Sequence, residues 1–467
     1  MPYETVGGGF ELASRTGHAE AVLRSMADQR SFFVPAERVT DLDSLSQRVR
    51  RRSDMPAAPV HTLRAALAID GSRMPAHVRD GLPSVVYGFA QAAAAYLDLQ
   101  ALENQRAVRF VDPVVLEGAV NRALVSLDLP CAGAYEREGV DIKRSWREAV
   151  DRIFRTKRVE VNNLNLTLLD LLCLLYGAPG VPATSIEIDC QNTDCKQTRI
   201  AVPAAVAAAP IGFPCPACDH PVFPTDILGI HDEVVEEGTN ETSLGRLMSV
   251  VELLVLVGLV TLLWRQHRAD LLPETLFIVD GPLAVMGPPA PLRYRALRYF
   301  QAMGGGPAGH MPYIVGVEKT GPIVDFARRL LQHDVLAPGE LLVCDARVIG
   351  QIYNTDNALG YGKETYWGRK FIYRTADGRV LVPTFVPPAG RPYDRDGGLP
   401  DPSSYPQMAA ILDVFDRTGS SMYQDGIIPT ALAHGSAAFP IGVGTDVLKL
   451  VARRKLGLDD APRHARP

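Results

Sequence analysis

Residues 64–72 read Arg-Ala-Ala-Leu-Ala-Ile-Asp-Gly-Ser, and residues 275–283 read Thr-Leu-Phe-Ile-Val-Asp-Gly-Pro-Leu. Both are apolar, strand-like runs closed by Asp-Gly. The predicted strands are 64–69 and 276–279, so Asp70 and Asp280 stand at their carboxyl ends. That end of an α/β sheet is where ligands bind. The following glycine lets the chain turn sharply and admits a ligand close to the backbone. Either Asp-Gly alone is an ordinary turn; the shared strand context makes the pair a candidate site. Two converging carboxylates of this kind hold one or two divalent cations, Mg²⁺ or Mn²⁺, and such a centre suits phosphodiester cleavage.

Outward from the first run, β-rich segments follow at 84–89 and 107–111, separated by an alanine-rich stretch compatible with strand or helix. Three strands in succession predict an antiparallel meander. Outward from the second run, elements alternate: helix 243–267, strand 276–279, helix 290–303, strand 313–317, helix 321–333, strand 340–345. Such alternation predicts parallel βα units. A hairpin is expected over 371–385 around Asp377-Gly378, then a Pro/Gly/Asp-rich loop at 387–402 and amphipathic helices at 405–417 and 444–456. The fold class is α/β, a mixed sheet flanked by helices.

The remaining segments are assigned by composition. Residues 1–60 read as a polar helical region, with Arg48, Arg50, Arg51 and Arg52 at a solvated helix end and a boundary at 56–59. Core segments are expected at 61–120 and 243–457, an insertion at 121–242 with a charged helix at 141–159, and a flexible tail at 458–467. No internal repeat is evident.

The insertion holds Cys190, Cys195, Cys215 and Cys218, spaced C-x4-C-x19-C-x2-C. Two close pairs joined by a moderate loop suit a tetrahedral zinc site, within a module at about residues 186–225. Four thiolates leave no open coordination position, so this zinc is structural. The module offers a contact for DNA or a partner protein. His220 is an alternative ligand.

The chain has 467 residues, 47% hydrophobic and 22% charged, with net charge −5. The charge excludes a globally basic DNA-binding field, so any contact with nucleic acid is local or borrowed from a partner. No GxxxxGK[ST] loop is present, which argues against an NTPase. The first ten residues lack the pattern of a secretory signal. The apolar run 247–264 is long enough to approach a membrane span. It contains Ser249, Glu252 and Thr261, however, and a buried core helix is expected. Cysteine usage predicts reduced thiols, hence a cytoplasmic location and no membrane.

Three further residues join the candidate site. Glu252 is the lone acid in the most apolar helix, and burying a carboxylate costs several kcal/mol unless it is paired or metal-bound; the alternatives are a solvent-edge register or pairing with Arg246. Lys319 follows strand 313–317 as a phosphate-binding point charge or a solvated loop lysine. His434, in Leu-Ala-His-Gly-Ser, orients a phosphate or protonates a leaving group, or is structural.

Ile-Asp-Gly-Ser (69–72), Glu252, Val-Asp-Gly-Pro-Leu (279–283), Val-Gly-Val-Glu-Lys-Thr (315–320) and Ala-His (433–434) stand in the order seen in NurA nucleases. The chain resembles that family over about 60–120 and 243–440. The resemblance implies a ribonuclease-H-like fold and a homodimer around a DNA channel. It also implies Mn²⁺- or Mg²⁺-dependent 5′-to-3′ nuclease action on DNA, and a hexameric HerA-type ATPase partner in end resection or defence. On this basis Asp70, Glu252 and Asp280 match the catalytic metal-binding acids, His434 the late catalytic histidine, and Lys319 a lysine common after that strand. Tyr366 is the candidate for the family's aromatic position. Pro282 and Glu318 depart from the pattern, where serine and a small residue are usual, and the insertion is larger than typical. Two rival readings are a non-catalytic DNA-binding or assembly subunit on the same fold, and a phosphatase or transferase acting on a small phosphorylated substrate.

Overall fold

The computed structural model describes residues 42–55, 63–78, 85–105, 122–178, 180–206, 210–265, 271–304, 311–353, 365–387, 401–419, 426–439 and 443–458. Most of the 1–60 region, the 107–111 segment, nearly all of the 387–402 loop and the tail beyond Leu458 lie outside them.

The frame begins with β1 (Val49–Arg51), β2 (Ala65–His77), β3 (Val86–Asp98) and β4 (Arg122–Ala132). Three small hairpins follow in the insertion: β5 (Arg158–Val161) with β6 (Leu164–Thr167), β7 (Ser185–Ile188) with β8 (Ile200–Pro203), and β9 (Phe213–Pro214) with β10 (Pro221–Val222). The frame resumes with β11 (Thr275–Asp280), β12 (Tyr313–Glu318), β13 (Glu340–Val343), β14 (Arg369–Arg374) and β15 (Val380–Phe385). Nine strands form one mixed sheet in the order β1-β13-β14-β15-β12-β11-β2-β3-β4. The meander β2-β3-β4 lies on one side of β2, and β11 and β12 run parallel to β2 on the other. This is the ribonuclease-H-like arrangement.

Several details differ from the sequence reading. The alanine-rich stretch is strand: β3 runs through it and pairs with β2 over thirteen rungs, His77↔Val86 to Ala65↔Asp98. Small side chains there let helices sit close on the sheet. The third meander strand is β4, so the stretch 121–242 opens with a strand of the main sheet. Val49–Arg51 is an edge strand paired with β13 and not a helix end. Arg48 is bound to Asp345 at 2.9 Å and Arg52 to Asp416 at 2.7 Å. The parallel run stops at β12, because the β14–β15 hairpin pairs with it antiparallel and displaces β13 outward.

Alternation along β2 and β11 assigns the two faces. Ala66, Ala68, Leu276 and Ile278 enter a core with the helices Met408–Arg417 and Ile428–Ala437. Ile69 and Phe277 enter the opposite core with the helix Glu241–Arg265 and the insertion. The latter is the single described helix long and apolar enough to cross a membrane, and 72% of its most apolar window is buried inside the protein. It packs between the sheet and the insertion: a Cβ at Gly258 would stand 3.0 Å from Val159.

Candidate active site

Asp70 is not at the end of its strand; β2 continues seven residues further, to His77. What ends at this level is the neighbour. β11 is in parallel register with β2 up to Val279↔Ile69, and Asp280 is its last residue. The two aspartates therefore share the next rung and, by alternation, the same face. The sheet splits at this point and leaves the backbone beyond Asp280 free to turn through Gly281, at φ 131°.

On that face the helix Ile428–Ala437, which the sequence reading lacked, crosses β2 and β3. It brings His434 Nδ1 to 2.7 Å from Asp70 Oδ2. Ligand atoms of Asp70, Asp280 and His434 lie within 4.8 Å of one another. Lys319, just past β12, is ion-paired with Asp280. It lies beside the acids with its charge engaged by a carboxylate.

Glu252 arrives from the other face. It is not part of the tight group; its carboxyl lies against Gly71, where a Cβ would sit 2.4 Å from Oε1. Gly71 faces this side because it alternates with Asp70, and its N–H donates to Asp70 Oδ1 at 2.8 Å. The glycine after Asp70 thus serves close packing with Glu252, not a turn. Gly71→Ala is expected to push Glu252 aside and lower any activity of the site by about tenfold or more, with a stability loss of about 1–3 kcal/mol. Activity together with thermal melts checks this; full activity in the variant would dissociate Glu252 from the site.

Burial, with repulsion from Asp70 and Asp280, pushes Glu252 up to about 8, against the Gly71 backbone. Burial and Asp70 push Asp280 up to about 7, against the opposing pull of Lys319. Acids this crowded hold protons unless a cation replaces them. The all-oxygen acid set with one imidazole fits a hard divalent ion. Both groups bind protons more tightly folded than unfolded. Their contribution to stability is therefore fully present below the ordinary carboxyl range and is lost as pH rises toward 8. Without divalent metal the protein is expected to lose on the order of a few kcal/mol between pH 5 and 8, and Mn²⁺ at pH 8 restores it. Thermal melts at both pH values, with and without Mn²⁺, read this directly. A metal-free melting temperature that climbs over that range would contradict it.

The acids sit between two openings. One is lined by Glu252, Met248, Leu253, Met286 and Arg246. The other, more open, is lined by Lys319, Thr320, Arg328, Thr430 and His434. Asp70 and Asp280 border both. Arg246 is not the partner of Glu252; it binds Glu233 at 3.3 Å. Tyr366 lies on neither wall, its hydroxyl 3.2 Å from Lys370 Nζ. Lys370 is buried and ion-paired with Glu318 at 2.6 Å, which accounts for an acid standing at that position of β12.

The four cysteines of the insertion also meet, with all Sγ atoms within 4.8 Å of one another. A backbone hydrogen bond from His220 pushes the Cys218 thiol down to about 7, while burial, offset by the Asn192 backbone and joined by the neighbouring thiols, pushes Cys190 up to about 12. Thiols so close cannot all ionise without a cation between them, so the set suits a metal ion. His220 is not among them; its Nε2 lies 2.9 Å from Arg147.

Fold and site together define a mixed-sheet α/β protein with a carboxylate–histidine centre at a strand-end split and a separate thiol centre. No protein-family model and no curated protein matches the chain. Solved structures similar to it include a crystal structure of the NurA nuclease from Sulfolobus solfataricus, 11% identical, with a TM-score of 0.35, covering 97% of this chain and 98% of that one. A second crystal structure of NurA is 10% identical, with a TM-score of 0.28, covering 95% and 98%.

Proposed function

We propose that this protein is a divalent-metal-dependent deoxyribonuclease, acting as a 5′-to-3′ exonuclease, a single-strand endonuclease or both. The observation that carries this is the convergence of Asp70, Asp280 and His434 within 4.8 Å at the split between β2 and β11, with Glu252 closing the site from the opposite face. Asp70, Asp280 and Glu252 would hold Mg²⁺ or Mn²⁺. When bound, the ion supplies an activated water and neutralises charge on the phosphate.

The chain's own groups do the rest. Asp70 engages His434 at Nδ1, which orients the ring and leaves Nε2 for the substrate. His434 is 67% exposed in its side chain, so Nε2 can reach a leaving oxygen and deliver a proton. Lys319 neutralises Asp280 and stands ready to turn to phosphate once a cation takes over that role. Zinc on the four cysteines is our reading of the second centre. The order of the motifs supports a homodimer fed with DNA by a HerA-type hexameric ATPase, in end resection or defence, and the cysteine usage supports a cytoplasmic location.

The test is cleavage of end-labelled linear DNA by the full chain with Mn²⁺, Mg²⁺ or EDTA. Metal-dependent product supports the reading. No cleavage in any metal, even with a HerA-type ATPase added, sinks it and leaves a binding or assembly role.

A further inference from the structure

We propose that Arg246 is a second phosphate-binding residue of this site, grasping a backbone phosphate that flanks the scissile one, and that the insertion holds it in place for that task. This rests on the nuclease reading.

Arg246 lies on the helix Glu241–Arg265, six residues before Glu252, a separation of about 9 Å along the helix axis. It lines the same cleft as Asp70, Glu252 and Asp280. That offset along the cleft suits a phosphate neighbouring the scissile one on the same strand. Glu233 Oε2 accepts from Arg246 Nε at 3.3 Å. Among the described residues the two Nη atoms have no hydrogen-bond partner. A guanidinium held through Nε by one carboxylate still presents its terminal nitrogens, the fork that pairs with phosphate. Space for it is built in: Gly287, at φ 75°, would put a Cβ 2.6 Å from Arg246 Nε.

The holder traces back to the cysteine module. Glu233 ends the 3-10 turn Ile230–Glu233. His231, in that turn and 8% exposed, has Nε2 2.6 Å from Gln191 Oε1, and Gln191 follows Cys190 in the chain. The preceding turn is locked by Asp226, bound by Arg147 at 2.7 Å in a fully buried pair. A cation is needed on this wall. The acids repel a polyanion, and Lys319, paired with Asp280 until a metal ion takes over, lines the other opening.

The experiment uses the full-length protein and single-stranded oligonucleotides carrying one neutral methylphosphonate at each position in turn. Single-turnover cleavage is compared for wild type, Arg246→Ala and Arg246→Gln, the last keeping a polar stem beside Glu233 should the alanine variant fold poorly. Wild type is expected to lose about tenfold or more when one flanking phosphate is neutralised. Both variants should be slower by a similar factor and indifferent to that modification. Their log affinity against log salt, measured without added divalent metal, should be shallower by about 0.7. A methylphosphonate profile and salt slope unchanged from wild type in both variants would overturn the proposal and leave Arg246 as a tether for Glu233. Wild type that cleaves no DNA would instead remove the nuclease reading itself.

Discussion

Asp70→Ala and Asp280→Ala are each expected to lower metal-dependent DNA cleavage by about 10³-fold or more, a barrier increase of about 4 kcal/mol, while leaving the protein as stable as wild type or more so. The two halves of that expectation come from one geometry. The aspartates share one rung of neighbouring parallel strands and face the same way, so each supplies an oxygen that no neighbour can replace. They also repel each other and Glu252, which is why burial and mutual charge push Glu252 up to about 8. Removing one acid lifts that repulsion and lowers the cost of ionising the remainder. A variant inactive because it is unfolded would melt lower; a variant inactive because it lost a ligand would not. Cleavage assays paired with thermal melts separate these cases. Activity within tenfold of wild type in either variant would exclude the carboxylate centre as the seat of chemistry.

The second large effect belongs to the cysteines. Cys215→Ser, or stripping the metal with a strong chelator, is expected to unfold residues 185–222 locally. The hairpins there have strands of four residues in β7 and β8 and two in β9 and β10, too short to hold themselves together. A structural zinc supplies about 10 kcal/mol or more in comparable small modules, more than such hairpins gain from their own packing. The wild-type protein should carry one zinc per chain by elemental analysis. Limited proteolysis should cut the variant between 185 and 222 while the sheet survives, because all nine of its strands lie outside that stretch and the core on the His434 face takes no residue from it. Through Gln191 and His231 the damage would reach Glu233 and Arg246, so cleavage should weaken without the total loss seen for the aspartates. Protease resistance and melting unchanged after the cysteines are emptied would show that the thiols need no metal.

Much of the frame is legible in the chain. The runs ending in Asp70 and Asp280, the alternation from β11 through β12, and the Asp377-Gly378 hairpin follow from periodicity and turn chemistry, which are local properties. The thiol cluster is legible too, because close pairing in sequence enforces closeness in space. The alanine-rich stretch was ambiguous because alanine suits either state; the β2 and β4 partners on its two sides made it strand. The helix carrying His434 has weak amphipathicity and no strong start beyond Pro429, so it was invisible until it packed on β2 and β3.

The sequence by itself determined which residue types were available for chemistry and which of them sat on buried apolar runs. Only the tertiary structure decided their meeting. Asp70 lies mid-strand, and it became part of a site because β11 stops beside it. His434 and Glu252 approach from opposite faces of one sheet, a relation that spacing along the chain cannot encode. The glycine after Asp70 reads as a turn in sequence, and the carboxyl packed against it shows that it makes room for Glu252 on the face opposite Asp70.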